Sequence, residues 1–571
     1  MRVALFVIVL SLQLYALPSL IVQEIRKSRI PESDISIYIK EAGEKGKVIA
    51  SLNAEVLRTP ASIIKILPTY ASLLQFGFDY RWPTEFYTAG TLYPNGRLDG
   101  DLVVKGYGDP TLNDEDLDSI ITQFKERGLK QINGNIIIDR SYFQVGNKDS
   151  AYFDENPYSA YNALPDAMMF NERLVTVCVT PRKRTVTKKY ADESYKVIDR
   201  LQIVNKPCTG RYNWPQVRID TQTSTPTMFL QGQISNRCGE RNICKVITKP
   251  YKSFYYALKE RLKRSGIHVK GRLKLTKTPQ NAKILFTHYS KSLEEIVSET
   301  SKESNNLYAR HLMLHLGTQK YDAPATLQKG RNAVAAILRK EGALDNRKLR
   351  IDNGCGLSRI SKLRANRLAG VLDSAYDRYG KRWMETLSIA GVDGTIKRRF
   401  LYQAVKGHAW MKTGTLKHVK NISGYVENKA GKLYTVVIMI QNARAASYGA
   451  KLQDEILKWL AKSTAKPGVD TEALEEVSPR QNTTQNLLKN VPKKPVSQTV
   501  SSSYYIQAGV FNRPPNQAYL SRMKTLNLPY NVVHQKNYKV LIGGYQNEKE
   551  ARLILQKVRA NIEPSAFLIK L

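Results

Sequence analysis

Three short motifs supply the side chains that a serine acyl-enzyme mechanism needs. In chain order they are Ser62-Ile63-Ile64-Lys65, Ser304-Asn305-Asn306 and Lys412-Thr413-Gly414. A serine with a lysine three residues later offers a nucleophile beside a base, and the later motifs add polar groups that can serve the same reaction. Each motif alone is common by chance. The ordered set predicts nucleophilic catalysis at Ser62.

The residues around Ser62 predict the start of a helix. Pro60 suits a first helical turn, and an apolar run follows Ser62. Positions three apart share one side of a helix, so the Ser62 hydroxyl and the Lys65 amine come within hydrogen-bond reach. Lys65 is a base only when neutral, and burial and a neighbouring cation both favour loss of its proton. We expect Lys412 to be that cation.

The third motif predicts an edge strand. Lys412-Thr413-Gly414-Thr415 precedes strand-like runs at 422–426 and 433–440, which are joined by a turn. Gly414 has no side chain, so a substrate backbone can lie against this strand. Lys412 and Thr413 can meet a substrate carboxylate. The backbone N–H groups of Ser62 and Thr415 can form an oxyanion hole.

Beyond the motifs, the chain resembles a known family over about residues 25–465. The further stretches that carry the resemblance are Ser304-Asn305-Asn306-Leu307-Tyr308-Ala309, Asp352-Asn353-Gly354-Cys355-Gly356-Leu357-Ser358-Arg359 and Ala390-Gly391-Val392-Asp393-Gly394-Thr395. The family is the D-alanyl-D-alanine carboxypeptidase/endopeptidase family, the low-molecular-mass class C (type-4) penicillin-binding proteins. Cys355 stands where Ser is usual in the family.

The resemblance implies a multi-domain α/β fold, with a penicillin-recognising serine-transferase/β-lactamase-like core that is split by mostly β insert domains. The spacing agrees, because roughly 240 residues separate Ser62 from Ser304, and a connection inside one domain rarely exceeds about 15 residues without structure of its own. We expect the core at 23–79 and 281–465 and the insert domains at 80–280.

The resemblance also implies a reaction, hydrolysis of a D-Ala-D-Ala peptide through an acyl-enzyme at Ser62, with penicillins acylating the same serine. The implied roles are Lys65 as base, Ser304 as proton relay to the leaving amine, Asn306 as holder of the acyl-side amide, and Lys412 and Thr413 as holders of the terminal carboxylate. No cofactor and no metal are expected. A β-lactamase with the same site and a non-catalytic septal wall-binding protein are the alternatives.

In the family, an acidic and an aromatic residue of the insertion line a pocket for the amine end of a diamino-acid side chain. Asp154 and Tyr158 match these two positions best, although the alignment can slip by a residue. The resemblance therefore implies a substrate-binding role for this pair.

The chain has five cysteines, namely Cys178, Cys208, Cys238, Cys244 and Cys355. Four of them lie in the second half of the insertion and allow three connectivities, among which sequence alone does not choose. Zinc is disfavoured, because no paired C-x-x-C or His pair accompanies them. The family often has a Cys pair around a stretch like the one between Cys208 and Cys238. The resemblance therefore favours a bridge between these two cysteines and leaves Cys355 free.

The N-terminus predicts export. Arg2 is positive, residues 3–12 are almost wholly apolar, and Gln13 interrupts the run. This pattern predicts a signal peptide over 1–22, with Ala16 as the best cleavage position, and it is too short for a comfortable membrane span. A retained anchor is the alternative. We expect a periplasmic protein with no stable membrane span.

A formal net charge of +38 over 571 residues is unusual. Nucleic acid is the first partner that such a charge suggests, but the Lys and Arg are spread along the chain and no nucleic-acid motif is present. A positive surface also suits anionic cell-wall polymers or a membrane face, and a general basic bias of the source proteome is a further explanation. We expect peptidoglycan and β-lactams as partners and no nucleic acid.

His311 and His315 are spaced to share one face of a helix and could bind a metal. Leu312 stands where the H-E-x-x-H signature needs Glu, so packing is favoured for both.

The last hundred residues predict a linker and a small domain. Residues 466–500 have few large apolar side chains, which predicts a disordered linker. Strands at 504–511, 538–544 and 566–569 and helices at about 516–526 and 548–559 then alternate. Residues 501–571 resemble a SPOR domain, a module that binds peptidoglycan, on Tyr505-Ile506-Gln507-Ala508-Gly509-Val510-Phe511 and Val540-Leu541-Ile542-Gly543-Gly544-Tyr545.

Overall fold

The computed structural model describes residues 17–145, 153–344, 350–464 and 504–570, the last range with short gaps at 512–514, 516–518, 521–522, 524–527, 535–537, 546 and 562–565. The chain forms two compact units, residues 1–479 and 480–571. The predicted linker at 466–500, Ala16 and most of the predicted signal peptide lie outside the described residues. In the part of the chain that the structure describes, no helix is long and apolar enough to cross a membrane.

Helices and strands are numbered here along the described chain. The helices are α1 Ser19–Ser28, α2 Ile66–Phe76, α3 Asp116–Glu126, α4 Pro250–Arg264, α5 Leu293–Lys302, α6 Asn306–Tyr321, α7 Leu327–Lys340, α8 Ala365–Tyr379, α9 Lys381–Met384, α10 Ala445–Lys462 and α11 Glu548–Asn561. The strands of the first unit are β1 Ile35–Glu41, β2 Val48–Leu52, β3 Pro83–Leu92, β4 Arg97–Gly106, β5 Gln131–Ile132, β6 Ile136–Asp139, β7 Val175–Thr180, β8 Thr185–Lys188, β9 Lys196–Val204, β10 Gln216–Asp220, β11 Thr227–Ser235, β12 Arg241–Lys245, β13 His268–Val269, β14 Leu273–Leu275, β15 Lys283–Tyr289, β16 Ser388–Ile389, β17 Ala409–Leu416, β18 Val419–Glu427 and β19 Leu433–Gln441. Those of the second unit are β20 Tyr504–Phe511, β21 Tyr530–His534, β22 Tyr538–Tyr545 and β23 Phe567–Lys570.

An antiparallel sheet in the order β16-β17-β18-β19-β1-β2 forms the centre of the core domain. Alternate residues of β19 pack to opposite sides, with Val436 and Ile438 against α1 and α10, and Val437 and Met439 against the cluster that includes α2, α5, α6, α7 and α8. Because both faces are covered, this strand is apolar along nearly its whole length. The sheet with helices on both sides agrees with the expected α/β core.

The two halves of the split core meet in this sheet. Strand β1, from before the insertion, pairs with β19, from after it, over the full register from Ile35↔Ile440 to Glu41↔Tyr434. A buried ion pair joins the same halves, with Lys40 Nζ 2.9 Å from Asp373 Oδ2. Burial raises the pKa of Asp373 against the hydrogen bonds from Lys40 and Thr435. Removing one partner of such a pair costs about 3–5 kcal/mol, because the other charge stays buried.

The folded core begins before residue 23, which was its predicted start. Ile21 and Ile25 of α1 are buried in the same cluster as Leu460 of α10. The apolar positions of this segment continue as the buried face of an amphipathic helix. The boundary between residues 22 and 23 that the signal prediction placed therefore falls inside a packed helix.

The first insert domain is a seven-stranded sheet, in which β13-β5-β4-β3-β15 is the main order and β6 pairs with β4 and β14. Helices α3 and α4 pack on it through Phe124 and Phe254, so this domain has more helix than expected. Strand β15 pairs antiparallel with β3 up to Tyr289↔Pro83. The insertion therefore ends after Tyr289, not at residue 280, because the chain leaves along β3 and returns beside it.

The second insert domain consists of two three-stranded sheets, ordered β12-β7-β8 and β10-β11-β9. Strands β9 and β11 are parallel, and the remaining pairs are antiparallel. A disulfide links Cys208 to Cys238, which confirms the favoured bridge. Cys178, Cys244 and Cys355 are free thiols.

The second unit has an antiparallel sheet in the order β21-β22-β20-β23, with α11 against it through Leu555 and Val558. Strands β20, β22 and β23 and helix α11 lie close to their predicted positions, whereas β21 was not predicted. The helix expected at about 516–526 falls mostly outside the described residues.

Candidate active site

The three motifs, far apart in the chain, meet at one end of the central sheet. Ser62 and Lys65 lie in a 3-10 turn at Ala61–Lys65 that leads directly into α2. Lys65 Nζ donates to Ser62 Oγ at 2.9 Å and to Asn306 Oδ1, at the start of α6, at 2.7 Å. Lys412 Nζ, from β17, donates to Ser304 Oγ at 2.9 Å. The arrangement is a hydroxyl, a buried amine and a second hydroxyl–amine pair around one point.

Lys65 is buried, and its environment favours the neutral amine. Burial is the main cause that lowers its pKa to about 8, with the Cys355 thiol opposing that shift and the Arg310 guanidinium adding to it. The neighbouring cations are Arg310, which the sequence had not suggested, and Lys412, which it had, because repulsion between the amines of Lys65 and Lys412 acts on both. A base is most useful with a pKa near the working pH, so this shift fits proton transfer from Ser62.

Lys412 is also buried and contacts the second motif. Its amine donates to Ser304 Oγ and to the Thr413 carbonyl, 3.1 Å away. Burial lowers its pKa well below the ordinary value, and the charge of Lys65 lowers it further. Repulsion between the two ammonium groups disfavours the state in which both amines are protonated. An anionic group bound beside them would offset this repulsion.

Two glycines allow the backbone to close around Ser62. A Cβ at Gly356 would lie 2.2 Å from the Ala61 carbonyl oxygen, and one at Gly414 would lie 3.1 Å from the Ser62 nitrogen. Ala61 itself has φ +49°, in the left-handed region. A side chain at position 414 would therefore crowd the turn that carries Ser62, which is one reason for glycine there. The sequence had suggested a different reason, the passage of the substrate backbone.

The loop around Cys355 supplies a partner that the motifs did not reveal. The backbone carbonyl of Cys355 accepts hydrogen bonds from Lys65 Nζ and, at 3.4 Å, from Ser62 Oγ. Asn353 shapes the loop, because its Oδ1 accepts from the nitrogens of Cys355 and Gly356. The contribution comes from the main chain, so side-chain patterns could not identify it.

The loop at 390–395 braces the third motif. Thr395 Oγ1 lies 2.9 Å from Thr413 Oγ1. Asp393 pairs with Lys302 at the end of α5, and its other oxygen accepts from the Ile389 nitrogen at 2.7 Å. This loop therefore ties β17 to the segment that precedes Ser304. Ser304 has φ +59° and needs such external support.

The insert domains reach into the site through Asp154 and Tyr161. Asn306 Nδ2 donates to the Tyr161 carbonyl at 3.0 Å, and the Tyr161 hydroxyl donates to Asp154 Oδ2 at 2.7 Å. Burial acts to raise the pKa of Asp154, but hydrogen bonds from Tyr161, Asn162 and Asn156 outweigh it and lower that pKa. Tyr158 instead packs against the core of the second insert domain. Tyr161, not Tyr158, is therefore the aromatic residue that contacts Asp154.

Glu172 is a second contribution of the insertion that no motif indicated. Its carboxylate accepts from Asn305 Nδ2 at 3.2 Å and from the Tyr308 hydroxyl at 3.0 Å. Asn305 Oδ1 caps α6 by accepting from the nitrogens of Leu307 and Tyr308. Glu172 lies in a run of three residues with positive φ, a costly backbone that is typical of functional sites. It holds the Asn305 amide in the orientation that starts α6.

His311 and His315 are packing residues, as predicted. His311 Nδ1 lies 2.8 Å from the Gly108 carbonyl oxygen, and His315 Nε2 lies 2.8 Å from the Tyr80 hydroxyl. Burial lowers the pKa of His311 to about 4 and that of His315 to about 3, so both are neutral near pH 7. Across the described residues, no group of three or more His, Cys, Asp or Glu side chains could hold a metal ion.

Comparison with known proteins identifies the parts of the chain. Residues 19–463 match the model of the D-Ala-D-Ala carboxypeptidase 3 (S13) family, and residues 500–570 match that of the SPOR domain. The chain is 26% identical over 430 residues to D-alanyl-D-alanine carboxypeptidase DacB of Haemophilus influenzae, covering 72% of this chain and 86% of the relative. It is 28% identical over 420 residues to the D-alanyl-D-alanine carboxypeptidase of Actinomadura sp. (strain R39), covering 70% and 76%.

Among solved structures, the chain is similar to the crystal structure of penicillin binding protein 4 (dacB) from Haemophilus influenzae. The TM-score is 0.66 at 24% identity, with 77% of this chain and 99% of that chain covered. At this identity the likeness establishes the fold of the first unit.

The pKa of Lys65 sets an expected pH profile for acylation of Ser62 by a fluorescent penicillin. Because only the neutral amine accepts a proton, the rate should rise about tenfold per pH unit at acidic pH and level off above about pH 8. Arg310→Gln removes a cation that lowers this pKa, so the midpoint should move to higher pH, while the control Arg310→Lys should leave it nearly in place. A rate that is flat from about pH 6 to pH 9, or a midpoint that moves down in Arg310→Gln, would contradict the role of Lys65.

Proposed function

The chain belongs to the D-Ala-D-Ala carboxypeptidase 3 (S13) family, and from this premise we propose that it hydrolyses peptidoglycan stem peptides through an acyl-enzyme at Ser62. The observation that carries the proposal is the 2.9 Å contact between Ser62 Oγ and the buried Lys65 amine, whose pKa is lowered to about 8. Such a pair activates a hydroxyl that is otherwise a weak nucleophile at neutral pH.

In the acylation step, Ser62 Oγ attacks the carbonyl carbon between two D-alanines while Lys65 takes the hydroxyl proton. The backbone N–H groups of Ser62 and Thr415 stabilise the developing oxyanion. Ser304 relays a proton to the leaving amine, and D-alanine departs. Water then attacks the ester, with Lys65 again as the base, and releases the shortened peptide.

Substrate binding is assigned to the remaining polar groups of the site. Lys412 and Thr413 hold the terminal carboxylate, whose negative charge restores a proton to Lys412. Gly414 lets the substrate pass along β17, and Asn306 holds the acyl-side amide. Its amide nitrogen already donates to a backbone carbonyl of the insertion, so it is fixed before substrate arrives.

We propose both carboxypeptidase activity, at the end of a stem peptide, and endopeptidase activity, at a crosslink. An acidic residue beside the cleft suits both activities. The stem peptide whose D-alanine carbonyl is attacked has its own diamino-acid side chain, which bears an ammonium when that side chain is not crosslinked. Asp154, held by Tyr161 and Asn162, is the residue assigned to that ammonium. Arg359 lies over the ring of Phe153, the residue before Asp154.

We also propose that the protein works in the periplasm and is concentrated at division septa. The apolar N-terminal run and the disulfide between Cys208 and Cys238 support export. The SPOR domain supports attachment to wall glycan. A tether of this kind raises the local concentration of the enzyme at its substrate without altering its chemistry.

The proposed nucleophile is tested by Ser62→Ala. Fluorescent penicillin should label the wild-type protein covalently and leave this variant unlabelled, while circular dichroism shows that the fold is kept. On purified sacculi the wild-type protein should release D-alanine or open crosslinks, with products identified by mass, and Ser62→Ala should release neither. Ser298→Ala, in the middle of α5 and outside the three motifs, is the matched control and should behave as wild type. Labelling that persists in Ser62→Ala would remove Ser62 as the nucleophile.

The assignment of Asp154 predicts a split between substrates. Asp154→Ala should lower hydrolysis of a peptide with a free diamino-acid side chain about tenfold, whereas penicillin acylation, which involves no such ammonium, should stay near wild type. Tyr158→Phe is the control, because Tyr158 packs away from the cleft, and both rates should be unchanged. If Asp154→Ala slows the two reactions equally, Asp154 supports the site rather than the ammonium.

The targeting role of the tail is tested by deleting residues 466–571. Hydrolysis of a small soluble peptide should be unchanged, while binding to sacculi should fall and a fluorescent fusion should lose its septal position. Salt separates charge-driven binding of the basic first unit from binding by the SPOR domain, because ionic strength screens the former. If at high salt the shortened protein pelleted with sacculi as well as the full chain, the tail would not be the targeting element.

A further inference from the structure

The sheet β10-β11-β9 of the second insert domain has one buried and one open face. Met228 and Leu230 of β11 face the domain core, together with Val217 of β10 and Leu201 of β9. Side chains alternate along a strand, so the residues between them lie on the other face. We call this other face the arginine face. Its members are Lys196, Ile198, Arg200 and Gln202 of β9, Gln216, Arg218 and Asp220 of β10, and Thr227, Phe229, Gln231 and Gln233 of β11.

Two guanidinium groups flank one ring at the centre of the arginine face. Arg218 Cζ lies 3.8 Å and Arg200 Cζ 5.1 Å from the centroid of the Phe229 ring. Both distances are in the range of a cation–π contact with the ring. The two guanidinium groups are therefore within about 9 Å of each other.

Neither guanidinium has a counter-charge within the described part of the chain. Among the residues that the structure describes, Arg200 and Arg218 make no ion pair and no hydrogen bond through their side chains, and both are exposed. Asp220, the acidic residue on this face, has Oδ1 engaged with the Gln222 nitrogen. Two like charges without a partner are unfavourable to hold together, and an anion bound beside both of them lowers that cost.

The surroundings fit a carbohydrate-bearing anion. Side chains of Gln202, Gln216, Gln231 and Gln233 border the arginine pair, and amides can both donate to and accept from sugar hydroxyls. Ile198, 37% exposed, lies opposite Phe229 in the register and adds apolar surface against which a sugar ring can lie. Residues 175–247 carry thirteen Lys or Arg and five Asp or Glu, so the charge of the whole domain is complementary to an anionic polymer.

We propose that the arginine face is a second wall-contact surface, which binds carboxylates of peptidoglycan through Arg200 and Arg218. Planar guanidinium groups pair bidentately with carboxylates, and the glutamine amides and apolar ring surface take the sugar of the same polymer. The proposal rests on the proposed function insofar as peptidoglycan is the substrate. The surface lies on the insertion, apart from the acyl-enzyme chemistry and separate in the chain from the SPOR domain.

The test measures binding of the full-length chain to purified sacculi. Arg200→Gln with Arg218→Gln (the Gln pair) should weaken binding about tenfold. Arg200→Lys with Arg218→Lys should weaken it less, because Lys keeps the charge but lacks the planar, bidentate guanidinium group. Arg182→Gln with Lys183→Gln is the charge-matched control on an exposed turn of the same domain, and it should change binding less than about twofold. Circular dichroism verifies that each variant is folded. Hydrolysis of a small soluble peptide should be equal in all of them.

Two further readouts define the ligand. On sacculi whose carboxylates have been converted to amides, wild type and the Gln pair should bind equally, because the group that the arginines recognise is gone. Polyglutamate at matched carboxylate concentration should compete with sacculi less well than soluble peptidoglycan fragments.

The proposal is overturned if the charge-matched control loses as much binding as the Gln pair, if the difference persists on amidated sacculi, or if polyglutamate competes equally, which would make the face a general polyanion surface. Failure of the proposed function has a different signature, absence of peptide hydrolysis and of Ser62 labelling, and the binding readout does not depend on turnover.

Discussion

The buried amine of Lys65 is the constraint on which the rest of the structure depends. Removing an ammonium from water is costly, so a buried lysine needs either acceptors or a lowered pKa, and here it has both. Its acceptors are Ser62 Oγ, Asn306 Oδ1 and the Cys355 carbonyl, from three separate parts of the chain. Losing any one of them would leave the amine under-bonded. Lys65 therefore helps to position both the second motif and the loop around Cys355.

The insertion takes part in that arrangement and is more than an appended domain. The Tyr161 carbonyl fixes the nitrogen of the Asn306 amide, and this determines that Oδ1 faces Lys65. Glu172 fixes the preceding residue, Asn305, from the other side of α6. A side-chain amide can exchange the positions of its oxygen and nitrogen at little intrinsic cost. Each of these two contacts therefore decides the orientation of one amide. The geometry of the S-x-N motif thus depends on residues more than a hundred positions earlier.

Chemistry and placement are divided among the parts of the protein. The central sheet and its helices hold the residues proposed to react, the loop at Asp154 and Tyr161 adds a contact beside them, and the SPOR domain is the part proposed to attach the protein to the wall. The paired strands β1 and β19 and the ion pair of Lys40 with Asp373 keep the two halves of the core together around the insertion.

The sequence alone predicted much of this organisation. The α/β core, the split by an insertion, the bridge between Cys208 and Cys238, the packing roles of His311 and His315 and three strands of the C-terminal sheet follow from local motifs, spacing and family resemblance. These features are encoded by short-range patterns, since a motif carries its own backbone and an apolar period carries its own buried face. The placement of catalytic roles on Ser62, Lys65, Ser304, Asn306 and Lys412 stays a prediction, for which the structure supplies a consistent geometry.

Tertiary structure decided the features that depend on contacts between distant segments. The limits of the insertion and of the folded N-terminus were set by the pairing of β15 with β3 and by the burial of Ile21. Arg310 lowers the pKa of Lys65 although no motif pointed to it, and Tyr161 rather than Tyr158 contacts Asp154. The Cys355 carbonyl and the Glu172 carboxylate had no sequence signal, because a main-chain oxygen looks alike at every residue and a lone Glu is common on any surface. Distance in space, not distance in the chain, determines hydrogen bonding and electrostatic interaction, and only folding brings those groups together.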